Sequence, residues 1–136
     1  LNALRDWGHA RDYVKVMWKI LQHDTPGDWV ISSGKSMSVR EFIHKAFQSA
    51  AIEIEFTGSG LNERGIVRKN RSENKAIEEG QTLISVDPEY FRPTEVDLLL
   101  GDSKKANVEL NWAPEISLEE MIDEMVQNDL KAESRD

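Results

Sequence analysis

The residues best suited to chemistry lie in "EYFRPTEVDLLLGDSKKA", residues 89 to 106. Pro93 fixes its own φ and biases Arg92 toward an extended conformation, so Arg92 and Glu95 stand in a defined relation where a helix is about to start. A guanidinium offers a fork for phosphate, and a carboxylate accepts from both hydroxyls of a ribose. The competing reading is an ion pair between the two at i, i+3, worth a few tenths of a kcal/mol. A second block, "RDWGHARDYV" at 5 to 14, puts Arg5 ahead of a Trp-Gly pair and a helix whose first peptide N–H groups favour an anion. Arg5 can fork onto a diphosphate, or pair with Asp6 or Asp12 while Trp7 fills core.

Other apparent motifs lose their chemistry on inspection. "GKS" at 34 to 36 ends like a phosphate-binding loop, but Trp29 stands where that loop needs its first Gly. The Gly spacing of "GSGLNERG" at 58 to 65 is not G-x-G-x-x-G, and this stretch reads as a flexible loop. His9, His23 and His44 are scattered without a ligand-like offset, so no metal site is expected. Glu53 with Glu55 and Glu78 with Glu79 are explained by a solvated strand edge and a polar loop.

Helices and strands must position these side chains. Residues 9 to 22 are apolar on most of a helical circumference, as in a helix sandwiched in a larger fold. "WVISS" at 29 to 33 reads as a short buried strand. Ser38 with Glu41 forms an S-x-x-E capping box for a helix carrying Val39, Phe42, Ile43, Ala46 and Phe47. "IEIEF" at 52 to 56 alternates as a half-exposed strand, 57 to 82 reads as an irregular excursion, and "TLISV" at 82 to 86 as another strand. Asp102 is placed to cap a helix ending at Leu110. Ser117 with Glu120 opens a last amphipathic helix.

The chain has 136 residues, 17 basic and 25 acidic, for a formal charge of −8, and its last 22 residues hold eight acids. Such a balance repels a nucleic-acid backbone; only residues 64 to 75, with Arg64, Arg68, Lys69, Arg71 and Lys75, are locally basic. Without cysteine there is no disulfide framework, which fits a reducing cytoplasm. No apolar run approaches the ~20 residues that span a bilayer, so no membrane partner is expected. The start at Leu1 predicts a fragment or processed product.

"RDWGHARDYV", "SVREF", "VDPEYFRPTEVDLLLGD" and "LNWAPEISLEEMIDEMVQNDL" occur in the order, and with roughly the separations, of the C-terminal part of GDP-mannose 4,6-dehydratases. From about Leu4 to Leu130 the chain resembles that branch of the extended short-chain dehydrogenase/reductases. "YFRPTEVD" with "LLGD" is distinctive of it; the first block is shared more widely among nucleotide-sugar enzymes.

The resemblance implies α/β architecture: the C-terminal part of an NAD(P)-binding Rossmann-type protein. Residues 1–34 would supply a helix and a parallel-sheet strand to the dinucleotide-binding domain, and 35–136 a smaller mixed α/β substrate part. It implies oxidation of GDP-mannose at C4, loss of water across C5 and C6, and return of the hydride to C6, giving GDP-4-keto-6-deoxymannose. Arg5 would contact the diphosphate, Arg92 the diphosphate or ribose, and Glu95 the ribose hydroxyls; Trp7 and the Gly34 to Ser38 turn would line the same cleft. NADP would be held mainly by an upstream half, and the complete enzyme would be a cytoplasmic homodimer or tetramer. No catalytic residue is expected here: the Gly-rich loop is absent, and neither Tyr13 nor Tyr90 has a lysine four residues on. Alone, such a chain is expected to be marginal or sticky. The alternatives are another epimerase or dehydratase of the superfamily, or a non-catalytic nucleotide-binding or interaction module.

Overall fold

The computed structural model describes residues 1–92, 96 and 98–133. Strand β1 (Leu4–Asp6) pairs antiparallel with β2 (Ser36–Ser38). Between them run helix α1 (Ala10–Leu21) and an extended return. Helix α2 (Val39–Ser49) leads to an antiparallel sheet of β3 (Ile52–Thr57), β4 (Arg64–Asn70) and β5 (Thr82–Ser85), in that order across the sheet. Helices α3 (Lys104–Leu110) and α4 (Leu118–Glu133) follow.

Both capping boxes form. The Ser38 hydroxyl accepts the Glu41 N–H while the Glu41 carboxylate accepts the Ser38 N–H, and Ser117 and Glu120 repeat the exchange ahead of α4. Bonds from the serine hydroxyl first, then from the serine N–H, hold the Glu41 and Glu120 carboxyls below the ordinary carboxylate range. A carboxyl lowered in the folded state stabilises above its unfolded pKa, and that stabilisation disappears as pH falls through the folded value. Thermal stability should therefore decline as pH falls below the ordinary glutamate range, and a Glu41→Gln, Glu120→Gln variant should show a shallower decline. An identical pH slope in parent and variant would count against the boxes as its source.

Two apolar clusters organise the chain. Val16 of α1 packs with Ala106 and Leu110 of α3 and with Trp112, flanked by Ile20, Trp29 and Ile31. Ile52, Ile54 and Val67 form the second, under Phe47, Phe56 and Leu83. Asn111, in the left-handed region at φ 46°, ends α3 and sends the chain back beneath α1. The Lys19 ammonium donates to the Leu110 and Asn111 carbonyls, where a cation offsets the negative end of α3.

Three expectations need correction. Residues 29 to 33 do not form a strand, because a strand needs a neighbour: among the described residues no backbone group of Val30 or Ile31 is hydrogen-bonded. The stretch from 57 to 82 is not wholly irregular. It begins at a 3-10 turn, Gly60–Asn62, where a flexible loop was expected, and then supplies β4, the central strand of the sheet. Its basic residues answer acids on β3: Arg68 bonds Glu55 at 3.1 Å and Arg71 bonds Glu53 at 2.6 Å. Finally, the N-cap of α3 is Ser103; Asp102 still accepts the Lys104 N–H at 3.0 Å, one residue outside the cap.

α1 keeps one face uncovered. Val14, Met17, Trp18 and Leu21, at i, i+3, i+4 and i+7, are each more than 60% exposed. That spacing is a single helical stripe, opposite the face that Val16 buries.

Candidate ligand site

The site begins at β1, which brings two distant blocks together. Leu4 bridges Leu98 in parallel, and the Leu99 N–H donates to the Leu4 carbonyl at 3.3 Å. Beside this seam the Arg5 guanidinium donates to the Leu4 and Val96 carbonyls, both at 2.8 Å. Arg5 thus holds Val96 in place, and Arg92, four residues before Val96 in the sequence, is exposed. Glu95 and Pro93 lie outside the described residues.

The rival pairing of Arg5 with Asp6 or Asp12 is not what these carboxylates do. Asp6 accepts the Ser33 N–H at 2.7 Å and the Gly34 N–H at 2.9 Å. Asp12, 2% exposed, accepts the Glu115 and Ile116 N–H groups through one oxygen, both at 3.0 Å. Each acid serves backbone donors.

Asp6 also shows why "GKS" binds no phosphate. A turn whose successive N–H groups converge around a left-handed Gly makes an anion nest, and Gly34 has φ 74°. Here the chain's own carboxylate fills the nest, while the Lys35 N–H donates to the Ser33 hydroxyl. This turn therefore offers no phosphate cradle of the kind a dinucleotide needs, and NADP does not fit it.

A cleft of about 710 Å³ opens beside β1. One wall is Trp7 with the 33–37 turn, and the other is the run from Pro114 to Glu119. Trp7 donates from its indole N–H to the Met37 carbonyl at 3.0 Å and stacks on Phe42 with ring centroids 4.2 Å apart. It is thus both packed and part of the cleft. Met37, the strand partner of Arg5, lines the cleft as well, whereas Arg5 and Arg92 stand outside it. The second wall was missed from sequence, where "APEISLEE" registered only as a helix start. An acid at position 12, one turn before Val16 on the buried side of α1, was the available signal that something polar packs there.

Burial first, then the charges of Asp6 and Asp12, raise the Tyr13 hydroxyl above its ordinary pKa. A tyrosine that works as a base needs the opposite shift. His9 caps α1, its Nδ1 accepting the Arg11 N–H at 3.0 Å, and His44 packs edge-on to Phe56. Among the described residues no three His, Asp or Glu side chains gather as a metal site requires.

The model of one protein family, described as GDP-mannose 4,6 dehydratase, matches residues 1–125. The chain belongs to that family. It is 50% identical over 132 residues to a GDP-mannose 4,6-dehydratase of Vibrio cholerae serotype O1, covering 96% of this chain and 35% of that protein. It is 44% identical over 131 residues to the GDP-mannose 4,6 dehydratase of Homo sapiens, covering 96% and 33%. The chain therefore spans about a third of the length of these dehydratase relatives. The structure of RMD from Pseudomonas aeruginosa complexed with NADPH is matched at TM-score 0.65 and 16% identity, over 97% of this chain and 34% of that one. The α/β fold expected from the sequence is thus shared with a third of that larger protein. Among the described residues no helix of this dehydratase-family chain is long and apolar enough to cross a membrane.

Proposed function

We propose that this chain is the GDP-sugar-binding part of a GDP-mannose 4,6-dehydratase, converting GDP-mannose to GDP-4-keto-6-deoxymannose once joined to an upstream catalytic part. The carrying observation is the seam at β1, where Arg5 is tied to the Val96 carbonyl, four residues past Arg92 in the sequence. Two guanidinium groups, Arg5 at the seam and Arg92 four residues before Val96 in the sequence, suit a diphosphate, and Glu95, three residues past Arg92, suits ribose hydroxyls. In this reading Arg5 contacts the diphosphate, Arg92 the diphosphate or ribose, and the adjoining cleft receives another part of the ligand. Family membership supports the substrate and the reaction class.

NADP belongs to the upstream part in this reading, since the nest at Gly34 is filled by Asp6. Residues 1–34 belong with that part as well. The uncovered stripe on α1 and the unpaired backbone of Val30 and Ile31 are what an apolar layer and a sheet edge look like without their neighbours. The complete protein is then a cytoplasmic homo-oligomer.

Calorimetric titration of GDP and GDP-mannose, with UDP as control, tests the reading on the chain extended upstream to the length of its relatives. Binding of both guanosine ligands, with UDP weaker, is the expected result; no binding by the folded, extended chain would overturn it. The chain alone should associate through α1, and Trp18→Glu should shift it toward monomer in sedimentation. An unassociated parent would argue against the exposed stripe as a docking face.

A further inference from the structure

We propose that Asp12 is a positioning residue for the cleft, hanging the 114–119 wall from α1. The inference rests on the reading above that the cleft receives part of a GDP-sugar. Asp12 grips the incoming chain twice. Its main-chain carbonyl accepts the Trp112 indole N–H at 3.1 Å, and its carboxylate accepts the Glu115 and Ile116 N–H groups. Beyond that grip, the Ser117 and Glu120 capping box fixes the start of α4, so the wall is clamped at both ends. Asp6 does the same for the opposite wall through Ser33 and Gly34. Both walls thus hang from two acids six positions apart on one continuous piece of chain, with Trp7 between them at the cleft.

Packing alone does not account for the choice of an acid. Hydrogen bonds to an ionised carboxylate are roughly twice as strong as neutral ones, and they fix direction as well as contact. Yet the other oxygen, Oδ1, is buried with no hydrogen-bond partner among the described residues. An unmet buried oxygen destabilises, so a residue chosen only to fill this site would not carry it. Orientation of the 115–116 backbone is what the carboxylate supplies in return.

The test uses the extended chain turning over GDP-mannose. Asp12→Asn should raise KM about tenfold while leaving kcat within about twofold, because the wall is displaced and the catalytic groups upstream are not. Val16→Ala, one turn further along α1 and clear of residues 115 and 116, should lower the melting temperature without moving KM. An unchanged KM in Asp12→Asn, or an equal rise in Val16→Ala, would overturn the proposal. Should Asp12→Asn not fold, amide exchange on the parent decides: residues 115 to 119 should exchange more slowly with GDP-mannose bound, and equal rates would overturn it. If the parent itself does not bind GDP-mannose, the functional reading fails and takes this inference with it. If Arg92→Ala weakens binding and Asp12→Asn does not, this inference fails by itself.

Discussion

Replacing Arg92 by alanine in the extended chain is expected to weaken GDP-mannose binding by about one to two decades, corresponding to ~1.5–3 kcal/mol for a lost charge-assisted contact. Arg92 is exposed, so the change removes little packing, and unfolding should be unaffected. Arg5→Ala is expected to weaken binding at least as much, because Arg5 also anchors the Val96 carbonyl at the seam. If both groups grip one diphosphate, their effects should fall short of additive in the double variant. Glu95→Ala should reduce affinity for GDP-mannose and GDP alike, since both carry the ribose. Calorimetry measures all four, and GDP affinity indifferent to Arg92 would remove that residue from the site.

The second large effect is on stability. Trp112 is 4% exposed and packs with Val16, Ala106 and Leu110. Its indole N–H reaches the Asp12 carbonyl at 3.1 Å, and its own carbonyl accepts from the Asn107 amide at 3.1 Å. Trp112→Ala should cost about 3–5 kcal/mol, combining lost burial with the cavity left behind. Whole domains are stable by only about 5–15 kcal/mol, so this one truncation should bring the unit near unfolding. Trp112→Phe keeps most of the ring and removes the N–H, isolating a contribution of about 1 kcal/mol from the bond to Asp12. Urea titration against the parent measures both. A loss under about 1 kcal/mol for the alanine variant would mean that α1 and α3 are not held together through Trp112.

What the sequence made legible was mostly local. The two capping boxes announce α2 and α4 because each is a reciprocal bond between residues three apart, settled before any tertiary contact. The 29–33 stretch misleads for the converse reason: Trp29, Val30 and Ile31 have strand-forming side chains, but strand status belongs to a pair of backbones. β4 was hidden by its charges. Arg68, Lys69 and Arg71 look like a solvated loop until set against Glu53 and Glu55, which lie on the paired strand and take up two of the guanidinium groups. A sign pattern of acids on one strand facing bases on the next was the available signal.

At the site, Arg5 and Arg92 stood out by chemical type, as anion-binding forks beside rigid backbone. The tie between Arg5 and Val96 was not legible. It depends on one side chain bonding a main-chain carbonyl 91 positions away, and any residue supplies a carbonyl. Asp12 was named only as a possible partner for Arg5. Its actual partners, the N–H groups of Glu115 and Ile116, carry no side-chain signature either.

The bond from Trp112 to the residue-12 carbonyl spans 100 positions, and this sets an order of events during synthesis. A ribosome adds about 5–20 residues per second, so α1 emerges roughly 5–20 seconds before the indole that closes its inner face. Through that interval the inner face of the helix, Val16 and Ile20, is bare. Transiently exposed apolar surface of this kind is prone to aggregation. Codon changes that slow translation between positions 22 and 112 should lower soluble yield more than the same changes placed after 112.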